Sequence, residues 1–536
     1  MTSAAGTNMT GEADNPNILH ATVSSLSTFQ EWRVTTIVVL LLSLFALWLR
    51  SMASRPPLPP SAPELLKTWE WPIFGSWRFF LDRADFFTEA AAASKTGNFS
   101  FYIGKLHIVG VSREESRRIL FDSKGLDLAA GSLLMLHSRI RVAAFVQSSP
   151  SIEAVDGKPL GDDPDFNGAF NRTMAHLLKG QNFGRNLNFM VNDVHEGLES
   201  AIEAAGGSGQ GIMDTFEDVN LILYRMTMRT FGATEIASDP ALLRKTLGLF
   251  EVTERSSSPT RLVIPWLPTL NHLRRMGSGA MLYWHFSKIV NERKKTGKKV
   301  EDAFQYLIDK DEDMTGILRF TLSALFAGQI NTGINAAWAL VYLALTPSWY
   351  SRVQQEVDAV VAKYRTSPNQ APVDVIRSLN LEQWENELAS VRLCLRETIR
   401  LHTTGSVFRR NISGQDVSLG SSGEIVPKGS FAIYSVDDMH MNKEYYPEPE
   451  RWDPARYEGG NDPPYMGWGL GRHPCPGMRF AKLEVVIIVT LFVTMFDFEV
   501  VDDKGRKTTE VPERARNSFT AVKPAVPVRL AFKTRQ

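Results

Sequence analysis

Cysteine is almost missing from this chain, with only Cys394 and Cys475 in 536 residues. So sparse a supply rules out a disulfide framework and reads as a body facing a reducing compartment. Net charge is missing too: 59 basic residues meet 59 acidic ones. That balance removes the electrostatic case for nucleic acid as a partner. No Gly/Ser linker or charge block follows residue 64, so composition marks no further domain boundary in a chain long enough for two domains. Internal repeats are absent as well. No flavin or nicotinamide fingerprint occurs, so electrons for any redox chemistry must come from another protein.

Long apolar runs are scarce, and the one that stands out lies near the start. Between Arg33 and Arg50, residues 34–49 are uncharged and mostly apolar, about 24 Å as a helix. That is slightly short of a bilayer core, but Trp32, Trp48 and the flanking arginines suit its two interfaces. A signal peptide fits poorly, because the run begins late and no basic segment precedes it. Arg50, Arg55, Lys67 and Arg78 follow the run and only Arg33 precedes it, which puts the body on the cytosolic side. The expected plan is a lumenal segment at 1–33, an anchor at 34–50, a Pro-rich hinge at 51–64 and a body from 65 to 536. The hinge, Arg55-Pro-Pro-Leu-Pro-Pro60, resists helix and acts as a stiff spacer. Residues 1–30 have a disorder-like composition. The sequon at Asn8 would face the glycosylation-competent side; those at Asn98, Asn171 and Asn411 would not.

In the body, 99–103 and 106–111 read as a strand pair around Gly104. Helical periodicity predicts helices over 183–205, 214–231, 241–255, 281–295, 315–345, 348–365 and 381–402. Strand-like sequence returns at 407–411, 417–419 and 431–435. The fold class is therefore mostly α with small β-sheets.

Cys475 carries the most information. It lies in Trp468-Gly-Leu-Gly471-Arg-His473-Pro-Cys475-Pro-Gly477, just before an apolar helix-like stretch. The glycines allow a sharp turn and close approach to a flat ligand. Amides at a helix mouth favour a thiolate, and a lone thiolate in an apolar pocket suits a heme iron that cleaves O–O bonds. This run resembles the heme-binding loop of the cytochrome P450 family, with Trp468 where the family has Phe. The resemblance extends over about 64–535. It implies heme (iron protoporphyrin IX) with Cys475 as the metal ligand, the cytochrome P450 fold, and Trp468, Gly471, His473 and Gly477 around the cofactor. Arg409 or Arg410 would meet a propionate. The tryptophan that usually precedes a propionate-binding arginine in the early helical region is absent.

Two further motifs fit the same resemblance. Glu397 and Arg400, three apart on one helix face, would join Arg456 of Pro454-Ala-Arg456-Tyr457 in a buried cluster that supports the cysteine loop. In Ala327-Gly328-Gln-Ile330-Asn331-Thr332, a polar patch interrupts an apolar helix at a cost that calls for a use. The family places an acid and a threonine where Ile330 and Asn331 stand. Gly328, Asn331 and Thr332 are thus the candidate oxygen-handling residues, without the acid. This variant resembles the steroid 7α-hydroxylase and prostacyclin synthase branch, while Gly471-Arg-His473 is closer to sterol 14α-demethylases. The resemblance implies a monooxygenase in the endoplasmic reticulum membrane. Its partners would be NADPH-cytochrome P450 reductase, with cytochrome b5 as a second donor, and an apolar terpenoid, steroid-like or polyketide substrate of secondary metabolism. Ser406, Val407 and Phe408, with part of 125–165, would face that substrate. Alternatives are a heme-thiolate isomerase or dehydratase needing neither O2 nor reductase, and a heme-binding protein without turnover.

Overall fold

A computed structural model describes residues 16–66, 70–128, 130–131, 166–256, 269–460, 462–518, 521 and 523–535. The Asn8 sequon and most of the 125–165 stretch lie outside the described residues. The principal helices are α1 (Pro16–Ala53), α2 (Arg83–Ala93), α3 (Phe166–Leu177), α4 (Gly180–Ala204), α5 (Thr215–Phe231), α6 (Pro240–Arg255), α7 (Leu270–Thr296), α8 (Met314–Leu345), α9 (Pro347–Tyr364), α10 (Ala389–His402) and α11 (Met478–Met495). Their ends follow local chemistry. Asp313 accepts from the Gly316 amide to start α8, Asp239 with Pro240 starts α6, and Gly297 at φ 69° ends α7.

Three outcomes differ from the sequence pattern. The first helix reaches back to Pro16, a residue suited to an opening turn, into a stretch of disorder-like composition. Among the described residues, no helix is long and apolar enough to cross a membrane. The helix expected over 381–402 is broken into Leu381–Asn386 and α10. Glu356 of α9 takes the Ser390 amide at 2.9 Å, while Glu387 turns to Lys363 at 2.7 Å and Tyr364 at 2.6 Å. Side chains from a neighbouring helix thus cap α10 where the pattern alone continues.

The sheets flank the helices. Strands β1 (Glu70–Trp71), β2 (Gly75–Ser76), β3 (Phe99–Ile103), β4 (Leu106–Val111), β5 (Leu126–Asp127), β7 (Ser406–Asn411) and β10 (Phe431–Ser435) form one sheet in the order β1-β2-β3-β4-β10-β7-β5. The β3–β4 hairpin turns at Gly104, φ 57°, as its sequence implies. β8 (Val417–Ser418) and β9 (Ile425–Val426) pair separately. A third sheet joins β6 (Gln210–Asp214) to β11 (Phe496–Val501) through β12 (Arg529–Thr534). Asn98 and Asn411 are buried with their amides bonded internally, to Glu424 and Val426 among others.

An aromatic stack ties α8 to α10. Trp338 lies 4.1 Å from His402 at 16°, Tyr342 reaches the His402 Nε2 at 3.0 Å, and Trp452 stacks on Tyr342 at 5.2 Å. Trp338 is 1 % exposed. Trp338→Ala is expected to lower stability by about 3–5 kcal/mol, as a large aromatic lost from a packed core does. Urea denaturation measures that loss.

Candidate active site

Glu397 and Arg400 are the first pair to place. Both side chains are fully buried on α10, and the guanidinium grips the carboxylate with two bonds, Nε to Oε2 at 2.9 Å and Nη2 to Oε1 at 2.8 Å. A fork on a carboxylate is the strong form of such a pair. Arg456 Nε adds a bond at 3.2 Å, the Asp453 amide one at 3.0 Å and the Tyr457 hydroxyl one at 2.9 Å. The short 3-10 turn Pro454–Tyr457 is what brings Arg456 and Tyr457 to the carboxylate.

From this cluster a run of hydrogen bonds leads to the cysteine loop. Arg400 Nη1 donates to the His440 carbonyl at 2.8 Å, and the Met466 amide donates to His440 Nε2 at 3.1 Å. Next, the Gly469 amide donates to the Met466 carbonyl at 3.0 Å, and the Cys475 amide to the Trp468 carbonyl at 2.7 Å. Gly471, at φ 61°, packs so closely on α-helical Phe121 that a Cβ would sit 2.6 Å from its carbonyl oxygen. The loop is held from both ends.

Cys475 opens into a cavity of about 310 Å³ between this loop and α8. Gly328, Asn331, Thr332, Ser406, Val407, Trp468 and Gly477 line it too, together with Phe170, Phe231 and Phe480. Burial pushes the Cys475 thiol up, and the Gly477 amide donating to its sulfur opposes this without cancelling it. The helix-mouth amides therefore do not by themselves offset the burial; a metal cation bound at this sulfur would supply the charge that favours thiolate. Cys394, the other cysteine, is buried on α10 in the core.

The glycines of α8 differ in role. Open space surrounds Gly328, whereas a Cβ on Gly333 would lie 3.1 Å from Asn220 Oδ1 of α5. Gln329 faces α5 as well, donating to the Asn220 carbonyl at 2.9 Å and accepting from Thr227 at 3.1 Å. Asn331 points toward the cavity side, its Oδ1 accepting from the Ala521 amide at 3.3 Å.

Phe408 stands apart from the expected substrate face. Successive strand residues point to opposite faces, so with Val407 on the cavity, Phe408 packs into a phenylalanine cluster against Phe79 at 6.2 Å. Arg409 and Arg410 separate likewise. Arg410 is exposed over Phe431, whereas Arg409 is 2 % exposed beside Phe121, with its Nε unpartnered. Burial lowers the Arg409 guanidinium to about 10, and burial followed by the Arg409 charge lowers His473. Among the described residues Arg409 makes no ion pair, and Asp127 only partly offsets its burial; a buried cation so placed fits a heme propionate, and the cavity thiol fits its iron.

Sequence reading missed Glu484 and Asn335, which line the same cavity. The signal was present for Glu484: it is the lone acid in the apolar stretch of α11.

Glu397→Gln leaves Arg400 and Arg456 without a buried countercharge, at a cost of about 3–5 kcal/mol. The expected order of loss is heme first and fold second, followed by heme absorbance and urea denaturation on the same sample.

The Cytochrome P450 family profile matches residues 169–527. The cytochrome P450 monooxygenase AacuE of Aspergillus aculeatus is 31 % identical over 471 residues, covering 86 % of this chain and 91 % of that protein. Cytochrome P450 monooxygenase nsrP of Aspergillus novofumigatus is 29 % identical over 449 residues, 82 % of this chain and 84 % of its own. Sterol 14-demethylase of Arabidopsis thaliana is 27 % identical over 273 residues, 47 % of this chain and 52 % of that one. With the cysteine loop, its buried charge cluster and the facing helix in place, the chain belongs to the cytochrome P450 family, whose cofactor is a heme held by a cysteine thiolate.

Proposed function

We propose that this cytochrome P450 monooxygenase is membrane-anchored and oxidises an apolar small molecule of secondary metabolism, a terpenoid, steroid-like compound or polyketide. The observation that carries the reading is the apolar cavity between Cys475 and Gly328. Heme, once bound through Cys475 and with a propionate at Arg409 and His473, supplies the activation of O2 and the oxidation of carbon. The chain's own residues do the rest. Gly328 leaves open space in the cavity, Val407, Phe170 and Phe231 shape the apolar wall, and Asn331 and Thr332 would orient water there. The relatives' fungal origin supports the secondary-metabolism assignment.

Membrane attachment is supported by α1, whose Ile37, Leu44 and Leu47 are exposed, with Arg50 and Arg55 on the body side. The hinge docks on the sheet: Arg55 bonds the Trp71 carbonyl at 2.8 Å, and Tyr102 bonds the Pro56 carbonyl at 2.7 Å. We therefore assign residues 1–33 to the lumen, 34–50 to the anchor, 51–64 to the hinge and 65–536 to the cytosolic catalytic unit at the endoplasmic reticulum. NADPH-cytochrome P450 reductase, with cytochrome b5 as a second donor, would dock where Lys482, Arg392 and Arg396 cluster beside the cysteine loop; burial and then those two arginine charges lower Lys482. Asn331 in place of threonine is the one feature that supports a second reading, an isomerase or dehydratase that needs neither O2 nor reductase.

Full-length protein with reductase and NADPH is expected to oxidise NADPH faster when an apolar substrate shifts the heme spectrum. Lys482→Glu should weaken reductase binding roughly tenfold, as loss of a steering charge does. Substrate conversion at full rate without NADPH would establish the isomerase instead.

A further inference from the structure

Behind the cavity wall, a run of aromatic rings leads from α8 and α10 out to α9. Its inner end adjoins the cavity. Asn335 lines the wall and Trp338 follows three residues on, and Ile399 and Thr403 line it on both sides of His402. Residues three apart share a helix face. Trp338 stacks on His402 at 4.1 Å and on Tyr342 at 5.6 Å. Tyr342 stacks on Trp452 at 5.2 Å with the planes 8° apart, and Trp452 meets Trp349 edge-on at 6.4 Å. Trp349, 8 % exposed, ends the run under the Arg352 guanidinium at 4.6 Å, and Arg352 itself stands at the surface.

Packing alone does not call for these side chains. Leucine or phenylalanine would fill the same space without burying a phenol, an imidazole and three indoles, whose polar atoms need partners. Tryptophan and tyrosine are among the side chains that lose one electron most readily, and the partners present suit that loss. The Tyr342 hydroxyl lies 3.0 Å from His402 Nε2. Burial, followed by the Arg514 and Arg400 charges, holds His402 well below its ordinary range. The imidazole is therefore neutral, and its bare nitrogen takes the phenol's hydrogen bond. A phenol that loses an electron becomes strongly acidic, and the acceptor for its proton is already in place. Trp452 Nε1 donates to Thr398 Oγ1 at 3.0 Å.

We propose that Trp338, Tyr342, Trp452 and Trp349 form a relay that carries oxidising equivalents from the cavity to the surface when no substrate takes them. The proposal rests on the heme monooxygenase reading. The oxidant is heme oxidised by peroxide, and each passage along the relay reduces it by one electron. Tyr342 gives that electron through Trp338, and its phenol proton passes to His402 Nε2. Trp452 then reduces the tyrosyl radical, and the proton returns from His402. Trp349 in turn reduces the Trp452 radical cation. A soluble one-electron reductant, a thiol or ascorbate, restores Trp349 and releases its own proton to water.

The test adds hydrogen peroxide to full-length holoenzyme without substrate or reductant. Peptide mass spectrometry maps the oxidised residues, and heme bleaching is followed alongside. Oxygen should be added at Trp349 and Trp452, and freeze-quenched samples should show a protein-radical resonance. Tyr342→Phe and Trp452→Phe keep a ring in place; both should lose the Trp349 adduct and bleach heme several-fold faster. Their visible carbon-monoxide bands should match the wild type. A Trp349 adduct undiminished in Trp452→Phe overturns the proposal, because the oxidant then arrives through solvent. Bleaching unchanged in both variants overturns it as well. Should both fail to bind heme, Trp349→Phe decides: it should raise the Trp452 adduct, and an unchanged adduct there overturns the proposal. A wild type with its carbon-monoxide band but no adduct at Trp349 or Trp452 overturns the proposal alone. A wild type without that band overturns the heme reading and this proposal with it.

Discussion

One buried carboxylate, Glu397, anchors the arrangement on which the chemistry depends. It accepts from Arg400, Arg456, Tyr457 and the Asp453 amide in a space with no water-facing surface. Burying a charge is costly unless its bonds are complete, and here they are. Completing them requires α10 and the 453–457 segment to adopt one relative placement. The ion pair is thus better read as a device that fixes geometry than as a source of net stability. Its bonds run outward through His440 and Met466 to the turn that presents Cys475.

Helix α8 completes the site by being different on its two sides. Toward α5 it is tight: Gly333 allows close approach, and Gln329 spends its amide on Asn220 and Thr227. Toward the cavity it is open, with Gly328 facing empty space and Asn331 and Thr332 at the wall. The polar patch that interrupts its apolar sequence therefore has two separate causes, packing on one side and chemistry on the other.

Much of this was legible beforehand, for identifiable reasons. Cys475 and its glycines leave few alternatives, and the β3–β4 pair announces itself by alternation around Gly104. Glu397 and Arg400 follow from spacing, whereas Arg456, about sixty residues on, was expected beside them from the family resemblance and not from spacing. What sequence could not show was long-range. The sheet joining Gln210–Asp214 to Arg529–Thr534 pairs segments more than three hundred residues apart. The break before α10 comes with Glu356 of α9 taking the Ser390 amide, and the turn of Phe408 away from the cavity from strand register.

This scaffold serves to hold Cys475 for a thiolate bond to heme iron. The carbon-monoxide difference spectrum of the reduced, detergent-solubilised protein, with Cys475→Ala beside it, tests that claim most directly. A red-shifted Soret band is expected in the wild type and absent from the variant. A band that persists in Cys475→Ala, or well-folded wild-type protein with no heme band, would contradict it.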